Sequence, residues 1–316
     1  MRYAGLALAF VSSWCFAFSG PMAKFLNAAG LAPLESVWLR MSGAGLLMFA
    51  LLAVFKPAVL RIPRSKWGFF AAYALVAVAG VQTLYFVAIT RLPVGIALLL
   101  EFTAPVMVVF WVRFVRKVRL PRIAFAGAIL AFAGLGVVVE FWEGMRLDAL
   151  GVVLGLAAGA CCAAYFLLSD SIGDGVSPLG LVAWGMLGAA VLLVPLAQPW
   201  NIPWEAFGAS ATIGGNTLPV VGAYLWMIVV ATAVAYVLGV NAVRRLSAAI
   251  GATVATLEVI FGAIVAWLLL GEDLGPFQIG GGLAVLAGAL LAQLSTARSA
   301  VREPEREPSV TEPAAV

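Results

Sequence analysis

Long apolar runs recur along the chain, and short segments rich in charge, glycine or proline separate them. An apolar run of about 20 residues is long enough for an α-helix to cross the hydrocarbon core of a bilayer. The pattern therefore predicts an all-α polytopic membrane protein. Its ten transmembrane helices are expected near residues 4–26, 34–55, 67–89, 92–112, 122–140, 148–169, 178–198, 218–240, 247–270 and 276–295.

The two ends of the chain differ from the apolar runs between them. Arg2 precedes the first run, which continues to Lys24 without a small-x-small cleavage site. We therefore expect this run to remain as the first span rather than to be removed as a signal peptide. Residues 296–316 are rich in Pro, Glu and Arg and have little to bury, so we expect them to form a disordered cytoplasmic tail.

The pattern occurs twice. The segment RLPVGIALLLEF, which begins at Arg91, aligns without a gap with RLSAAIGATVAT, which begins at Arg245. Alanine, glycine, leucine and valine align by chance in apolar sequence, but the equal number of helices favours a true repeat. We therefore predict two five-helix repeats, residues 3–140 and 148–295. The aligned pairs include Leu120 with Leu274, Gly127 with Gly281 and Ala133-Gly134 with Ala287-Gly288.

Because each repeat has an odd number of spans, the two copies must enter the membrane from opposite sides. Charge supports this inversion independently. The loops after the second and fourth helices are basic, whereas their counterparts QPWNIPWEAFGASATIGGNT and GEDLG contain no Lys or Arg. Basic loops remain in the cytoplasm, so the sequence predicts two inverted repeats in the cytoplasmic membrane with both termini in the cytoplasm. The basic residues are Lys56, Arg61, Arg64, Lys66, Arg113, Arg116, Lys117, Arg119 and Arg122.

Composition agrees with this interpretation and excludes several kinds of chemistry. Hydrophobic residues make up 64% of the chain and charged residues 11%, and the mean hydropathy is +1.07. The chain has no histidine, which excludes histidine-based catalytic triads and metal sites. The three cysteines, Cys15, Cys161 and Cys162, lie in apolar runs and are expected to be packing residues. We expect no cofactor and no nucleic-acid partner, because the net charge of +4 reflects the basic cytoplasmic loops.

Two carboxyl groups lie inside predicted membrane helices. Glu101 follows the start of its helix, near Leu92, by about 14 Å, and Glu258 follows the start of its helix, near Ser247, by about 16 Å. Both would lie near the bilayer centre. Glu258 aligns with Ala104, one helical turn after Glu101, so each repeat would direct one acid inward at a similar depth. Charge in hydrocarbon is costly, and such acids commonly bind substrates or protons.

Structural explanations for the embedded charges stay open. Glu101 could be bonded to Arg40 on the second helix, and Glu258 to threonines of its own helix. Arg40 and Lys24 could instead present positive charge to an anionic group of a substrate. Lys24 could equally extend toward the lipid headgroups.

Aromatic and proline residues complete the set of candidates. Trp14 and Tyr85 could line a substrate cavity, although aromatic residues in membrane helices more commonly pack or face lipid. Pro105 and Pro21 each remove a backbone hydrogen bond and should bend their helices, either as gates or as ordinary curvature. Further candidates for a cavity lining are Phe16, Phe18, Gln82, Tyr165, Tyr224, Trp226 and Tyr236.

Two segments carry a resemblance to a known family, TRLPVGIALLLEFTAPVMVVF in the first repeat and AIGATVATLEVIFGAIVAWLLLGEDL in the second. With ten spans in two repeats, the chain resembles EamA-type members of the drug/metabolite transporter superfamily, and LEFTAP at 100–105 is similar to the threonine/homoserine exporter branch. The chain departs from the pattern at VRFVRKVRL, where many relatives have Gly-Glu, and at Val259, where proline is frequent. The resemblance implies export of amino acids or related small metabolites, commonly driven by proton exchange.

The expected function is therefore secondary active export by alternating access, with Glu101 binding the coupling proton or the substrate ammonium. An intramembrane enzyme would need a nucleophile and a base that the sequence does not display, and a nucleotide-driven pump would need a G-x-x-x-x-G-K-[ST] loop. A sugar-phosphate carrier would need more buried Lys and Arg. A channel and a non-transporting assembly or sensor subunit stay open. Expected partners are a small-molecule substrate, protons and the lipid bilayer, and the oligomeric state, including a homodimer, is open.

Overall fold

The structure, a computed structural model, describes residues 2–117, 120–138, 147–171, 176–243 and 256–301. Two π-helical segments, Tyr73–Gly80 and Val229–Val234, continue the helices next to them. One antiparallel hairpin pairs β1 (Ser210–Ile213) with β2 (Asn216–Pro219). The α-helices are α1 (Arg2–Ala17), α2 (Ser19–Ala28), α3 (Pro33–Phe55), α4 (Trp67–Ala72), α5 (Val81–Ala88), α6 (Val94–Glu101), α7 (Ala104–Phe114), α8 (Arg122–Val138), α9 (Ala149–Ser171), α10 (Pro178–Ala197), α11 (Val220–Ile228), α12 (Ala235–Val243), α13 (Leu257–Leu270) and α14 (Pro276–Val301).

Within the described residues, seven helical segments are long and apolar enough to cross a membrane. Three further apolar helices are shorter, namely Arg122–Val138, Leu257–Leu270 and Pro276–Ala292. The prediction of a polytopic helical membrane protein is confirmed. The seven long segments are Tyr3–Ala28, Pro33–Phe55, Trp67–Ala88, Val94–Phe114, Ala149–Leu168, Pro178–Ala197 and Val220–Ala242.

Two predicted boundaries were wrong. The eighth helix was expected from residue 218, but Leu218 and Pro219 belong to β2 and the helix begins at Val220. The disordered tail was expected from residue 296, but α14 continues to Val301. The segment TARSAV contains alanine and arginine, which favour helix, and no proline. The predicted start of the ninth helix, residues 247–255, lies outside the described residues.

Two helices are interrupted at the prolines singled out from the sequence. A proline ring collides with the carbonyl of the residue four positions earlier, so a regular helix cannot pass through that point. Pro21 follows the end of α1 at Ala17 by four residues, and Pro105 follows the end of α6 at Glu101 by four residues. The chain turns at Phe18 and at residues 102–103 and then resumes as α2 and α7. Each of these two spans is therefore built from two shorter helices.

The β-hairpin covers one end of the helix bundle, which we call the hairpin end. Its turn contains Gly214 and Gly215, both with positive φ, and Gly214 packs against the backbone of Leu270 at the end of α13. The Asn216 Nδ2 group donates to the carbonyls of Leu268 and Leu269, at 3.0 and 3.1 Å. The hairpin therefore supplies a partner to carbonyls at the end of α13, which a helix leaves unsatisfied. It also contacts α2.

Helices α8 and α14 pack at backbone contact through glycines. A Cβ atom added to Gly127 would lie 2.6 Å from the carbonyl oxygen of Gly288, and one added to Gly134 would lie 2.7 Å from that of Gly281. The numbers rise along one helix as they fall along the other, so the helices are antiparallel. Small residues permit this approach, which gains dispersion contacts between membrane helices.

The α8–α14 contact gives a matched test of packing. In Gly281→Ala the new methyl group would lie 2.6 Å from the Gly134 carbonyl oxygen and 2.8 Å from the Val138 nitrogen, whereas in Gly280→Ala it would meet nothing within 4 Å. We expect Gly281→Ala to lose about 1–3 kcal/mol of stability through overpacking. Gly280→Ala should change little or stabilise the helix. Thermal unfolding in detergent measures the stability of both variants. Equal unfolding midpoints for Gly281→Ala and Gly280→Ala would contradict the close contact between α8 and α14.

Candidate functional site

The helices enclose a cavity of about 260 Å³ in the interior of the bundle. Two carboxyl groups, Glu101 and Glu258, and the guanidinium of Arg40 line it together. The sequence placed the two acids in different repeats, and the tertiary structure brings them to one space. Other lining residues include Phe16, Ser19, Tyr73, Gln82, Tyr85, Leu98, Phe102, Cys162, Tyr165, Phe166, Val182, Met186 and Tyr236.

Both carboxyl groups belong to residues at helix ends. Glu101 is the last residue of α6, directly before the interruption at residues 102–103. Glu258 is the second residue of α13. Neither carboxyl makes a hydrogen bond or an ion pair with another residue of the described part of the chain. The bond between Glu101 and Arg40 that would have given Glu101 a purely structural role is therefore not formed.

Arg40 is buried, with 3% of its surface exposed, and neutral groups hold it. Its Nε donates to Thr232 Oγ1 at 3.0 Å and its Nη1 to Gln82 Oε1 at 2.6 Å, while the guanidinium lies over the Phe86 ring at 5.5 Å from the centroid. Among the described residues no carboxylate pairs with it, and Nη2 has no partner. A buried cation that forms no direct ion pair is costly, so Nη2 is a position at which an anionic group could bind.

The two π-helical segments border the site. The Thr232 hydroxyl, which accepts from Arg40, donates to the carbonyl oxygen of Met227, five residues earlier, at 2.8 Å, and Thr232 belongs to the π-helical segment Val229–Val234. The segment Tyr73–Gly80 contributes Tyr73, Ala77 and Val78 to the cavity lining. Short π-helical insertions occur frequently at functional sites because they redirect side chains and free backbone groups. The apolar pattern of the sequence contains no signal for them.

The cavity is closed toward the hairpin end and extends toward the opposite end. Val182 is four residues into α10 and Tyr73 six residues after the start of α4, and both helices start at the opposite end. On the hairpin side, large side chains fill the interior and are almost fully buried. They include Phe25, Leu26, Val37, Phe86, Ile89, Val94 and Ile96. Among the described residues, the interior is therefore filled on the hairpin side of the charged groups, and the cavity lining extends to the other side.

The remaining candidates from the sequence divide between the cavity and other places. Tyr85 lines the cavity. Trp14 is 38% exposed and packs edge-to-face against Phe18 and Phe261, outside the described lining. Lys24 also lies outside it and donates to Glu272 Oε1 and, at 3.2 Å, to the carbonyl oxygen of Leu92. Lys24 and Arg40 therefore do not form a joint positive site. Of the further aromatic and amide candidates, Phe16, Gln82, Tyr165 and Tyr236 line the cavity, whereas Phe18, Tyr224 and Trp226 do not.

Some residues of the site were missed. Thr232 was not singled out, although a hydroxyl inside an apolar run is the kind of group that holds a buried guanidinium. Cys162 was interpreted as a packing residue and lines the cavity. Glu272 was considered only as part of the segment GEDLG. The sequence gives no signal for its contact with Lys24, because the two residues are far apart in the chain.

The architecture defines a multi-pass helical membrane protein with a charged interior cavity. Residues 3–140 and 149–294 each match the EamA-like transporter family, and the chain belongs to this family of membrane transporters. The match covers almost all of both predicted repeats, which confirms the family expected from the sequence.

Curated relatives agree with this assignment. The threonine/homoserine exporter RhtA of Salmonella typhimurium strain SL1344 is 31% identical over 251 residues, which cover 78% of this chain and 78% of that protein. RhtA of Escherichia coli K12 is 30% identical, over 77% of this chain and 75% of that protein. The uncharacterized transporter YwfM of Bacillus subtilis is 26% identical over 72% of this chain. A protein crystal structure with 18% identity superposes with a TM-score of 0.59 over 95% of this chain and 99% of that one, so the two share a fold.

The hydrogen bonds of Arg40 lead to a prediction on stability. Lysine keeps the charge but cannot donate to Thr232 and Gln82 with the fixed fork of a guanidinium. We expect Arg40→Lys to lose about 1.5–3 kcal/mol, the usual contribution of a hydrogen bond to a charged group. The control is Arg91→Lys, because the Arg91–Asp148 pair is exposed and should contribute less than about 1 kcal/mol. The unfolding midpoints of the two variants in detergent measure these losses of stability. Equal losses in Arg40→Lys and Arg91→Lys would contradict the assigned role of Arg40.

Proposed function

We propose that the protein exports an amino acid or a related small metabolite across the cytoplasmic membrane by alternating access. The observation that carries this proposal is the cavity in which two carboxyls and one guanidinium face the same space without forming a direct ion pair. An amino acid has a carboxylate for the guanidinium and an ammonium for a carboxylate. The names of the RhtA relatives favour threonine, homoserine or a similar amino acid among the possible substrates.

The charges of the site suggest how protons are coupled to export. With both acids ionised, Glu101, Glu258 and Arg40 leave the empty cavity with a net negative charge, which is unfavourable in a low-dielectric interior. A proton on one carboxyl makes the site neutral. An arriving ammonium can replace that proton, so substrate and proton would occupy the site in turn. In this scheme the same carboxyl binds the coupling proton and, after releasing it, the substrate ammonium, while Nη2 of Arg40 binds the substrate carboxylate.

Three features support ten membrane helices in two inverted repeats. Gly127 contacts Gly288 and Gly134 contacts Gly281, and in the aligned repeats Gly127 corresponds to Gly281 and Gly134 to Gly288. An exchange of equivalent contacts is expected of a two-fold axis. Both π-helical segments fall in the third helix of a repeat. In both fourth helices a helix begins at nearly the aligned position, at Ala104 in α7 and at Leu257 in α13.

Charge supports the direction of the proposed transport. The basic loop at residues 56–66 lies at the end opposite the hairpin, whereas the hairpin loop at residues 198–219 has no Lys or Arg. The positive-inside rule then places both termini in the cytoplasm and the hairpin outside. In this orientation the cavity faces the cytoplasm, from which an exporter takes its substrate. Large side chains fill the interior between the cavity and the hairpin end, and this favours a carrier over an open channel.

Flux measurements test the role of the embedded acids. We expect Glu101→Gln to reduce export driven by a pH gradient to background in proteoliposomes, because the amide keeps the size but cannot bind a proton or an ammonium. Glu258→Gln should act in the same way. Labelled threonine, homoserine and other amino acids, each with and without an imposed pH gradient, form the substrate screen.

The control for these variants is Glu205→Gln, because Glu205 is exposed in the loop before the hairpin and lies away from the cavity. It should export at the wild-type rate. If Glu101→Gln also transported at that rate, the proposed role of Glu101 would be wrong.

Inversion of the repeats predicts the sides of two equivalent loops. Ser65 follows the second helix of the first repeat and Ser210 follows the second helix of the second repeat, and both residues are exposed. In a background without the native cysteines, Ser65→Cys should react with a membrane-impermeant maleimide only from the cytoplasmic side and Ser210→Cys only from the outer side. Reaction of both from the same side would rule out the inverted arrangement.

A further inference from the structure

The ion pair between Lys24 and Glu272 joins three parts of the chain at the hairpin end. Lys24, on α2, donates to Glu272 Oε1 and to the carbonyl oxygen of Leu92 just before α6. The other carboxylate oxygen of Glu272, Oε2, accepts the backbone N–H of Val94, the first residue of α6, at 2.7 Å. Glu272 itself lies directly after α13. One carboxylate and one ammonium thus connect α2, α6 and α13.

Each of these three helices runs from the ion pair to the cavity. Helix α2 begins at Ser19, α6 ends at Glu101, and α13 has Glu258 as its second residue, and all three of these residues line the cavity. The helices are short, with 10, 8 and 14 residues. The ion pair therefore lies at the far ends of α6 and α13 and in the middle of α2, and all three helices extend from it to the charged groups of the cavity.

Two of these helices, α2 and α6, start or end at a turn next to the cavity, and such turns are the points about which a tilt would occur. Phe18 separates α2 from α1, and residues 102–103 separate α6 from α7. At Gly20 on α2 a Cβ atom would lie only 2.4 Å from the hydroxyl oxygen of Tyr85, which lines the cavity. A tilt of α2 would therefore move a side chain of the site directly.

We propose that the Lys24–Glu272 pair is the latch of the gate at the hairpin end, and that occupancy of the cavity opens this latch through α2, α6 and α13. The proposal rests on the alternating-access function. Its physical basis is that the pair is partly buried, with 20% and 15% of the two side chains exposed, so water can replace its bonds fully only when the helices separate. Breaking the pair removes an interaction that exists only in the closed state and shifts the population toward the open state.

The second ion pair of the described residues provides the comparison. Arg91 Nη1 and Asp148 Oδ2 lie 3.3 Å apart at the same end of the molecule, with 41% and 40% of the side chains exposed. This pair links the loop before α6 to the start of α9 and involves neither α2 nor α13. It should not control the gate.

The test measures access to the cavity from the hairpin side. Cys162 lines the cavity, so in a background carrying Cys15→Ala and Cys161→Ala it reports accessibility to a permanently charged thiosulfonate reagent. Without the latch substitutions, we expect modification only from the opposite side. The latch variants are Lys24→Met and Glu272→Gln, and the glutamine keeps an oxygen that can accept the Val94 N–H. In both variants, Cys162 should be modified from the hairpin side about tenfold faster or more, because even a modest shift of the equilibrium between closed and open states changes the open population by this factor.

Two controls separate the latch from general damage. Arg91→Met should leave modification from the hairpin side unchanged, and Lys24→Arg, which can re-form the ion pair, should restore protection. Modification from the opposite side shows that each variant is folded. Unchanged modification from the hairpin side in both Lys24→Met and Glu272→Gln would overturn the latch, and so would an equal increase in Arg91→Met.

The labelling requires no transport, so the latch and the proposed function can fail separately. If no amino acid is exported by any variant but the latch variants are modified from the hairpin side, the latch stands and the transport assignment fails. If export is measured but modification from the hairpin side does not change in the latch variants, the transport assignment stands and the latch fails. With both correct, a substrate amino acid added from the cavity side should accelerate modification from the hairpin side in the protein with an intact latch.

Discussion

The cost of burying charge among apolar helices governs this structure. One guanidinium and two carboxyls lie in an interior that is otherwise made mostly of apolar side chains, with a few neutral polar groups. Water would hydrate these groups at little cost, but in a low-dielectric interior each needs a partner, a proton or a cavity. Arg40 obtains two neutral hydrogen bonds and an aromatic face, whereas the two acids obtain none among the described residues. In the cavity, the two acids are therefore available to bind a ligand or a proton.

Irregular helix geometry allows the charges to reach the same space. Regular helices satisfy their own backbone and present mostly apolar side chains to one another, which gives stable packing but no polar site. The breaks before Pro21 and Pro105 and the two π-helical segments depart from that geometry where the cavity lies. Irregular backbone and polar side chains therefore occur together at the site. The glycine contacts between α8 and α14 remain regular and tight, away from the cavity.

The Lys24–Glu272 pair and the site are complementary features of the same helices. At the hairpin end, Lys24 and Glu272 are paired and the described interior is filled with apolar side chains, whereas in the cavity Arg40, Glu101 and Glu258 form no ion pair and space is left. A protein that exposes one site to alternate sides needs both arrangements, because a gate is stable only if its charges are satisfied when closed. This is also why Lys24, a reasonable candidate for substrate binding from its position in the sequence, lies elsewhere.

The sequence by itself determined the class of fold, the approximate bounds of the apolar helices, the positions of the helix breaks and the identity of the embedded acids. These follow from local rules: hydrophobic length, the missing N–H of proline and the cost of charge in hydrocarbon. Only the tertiary structure decided which charges meet. Arg40 faces Gln82 and Thr232 rather than Glu101, and Lys24 faces Glu272, because contacts between residues about 40 to 250 positions apart depend on how helices pack. Apolar helices carry almost no sequence signal for that choice, since Ala, Gly, Leu and Val fit many neighbours equally well.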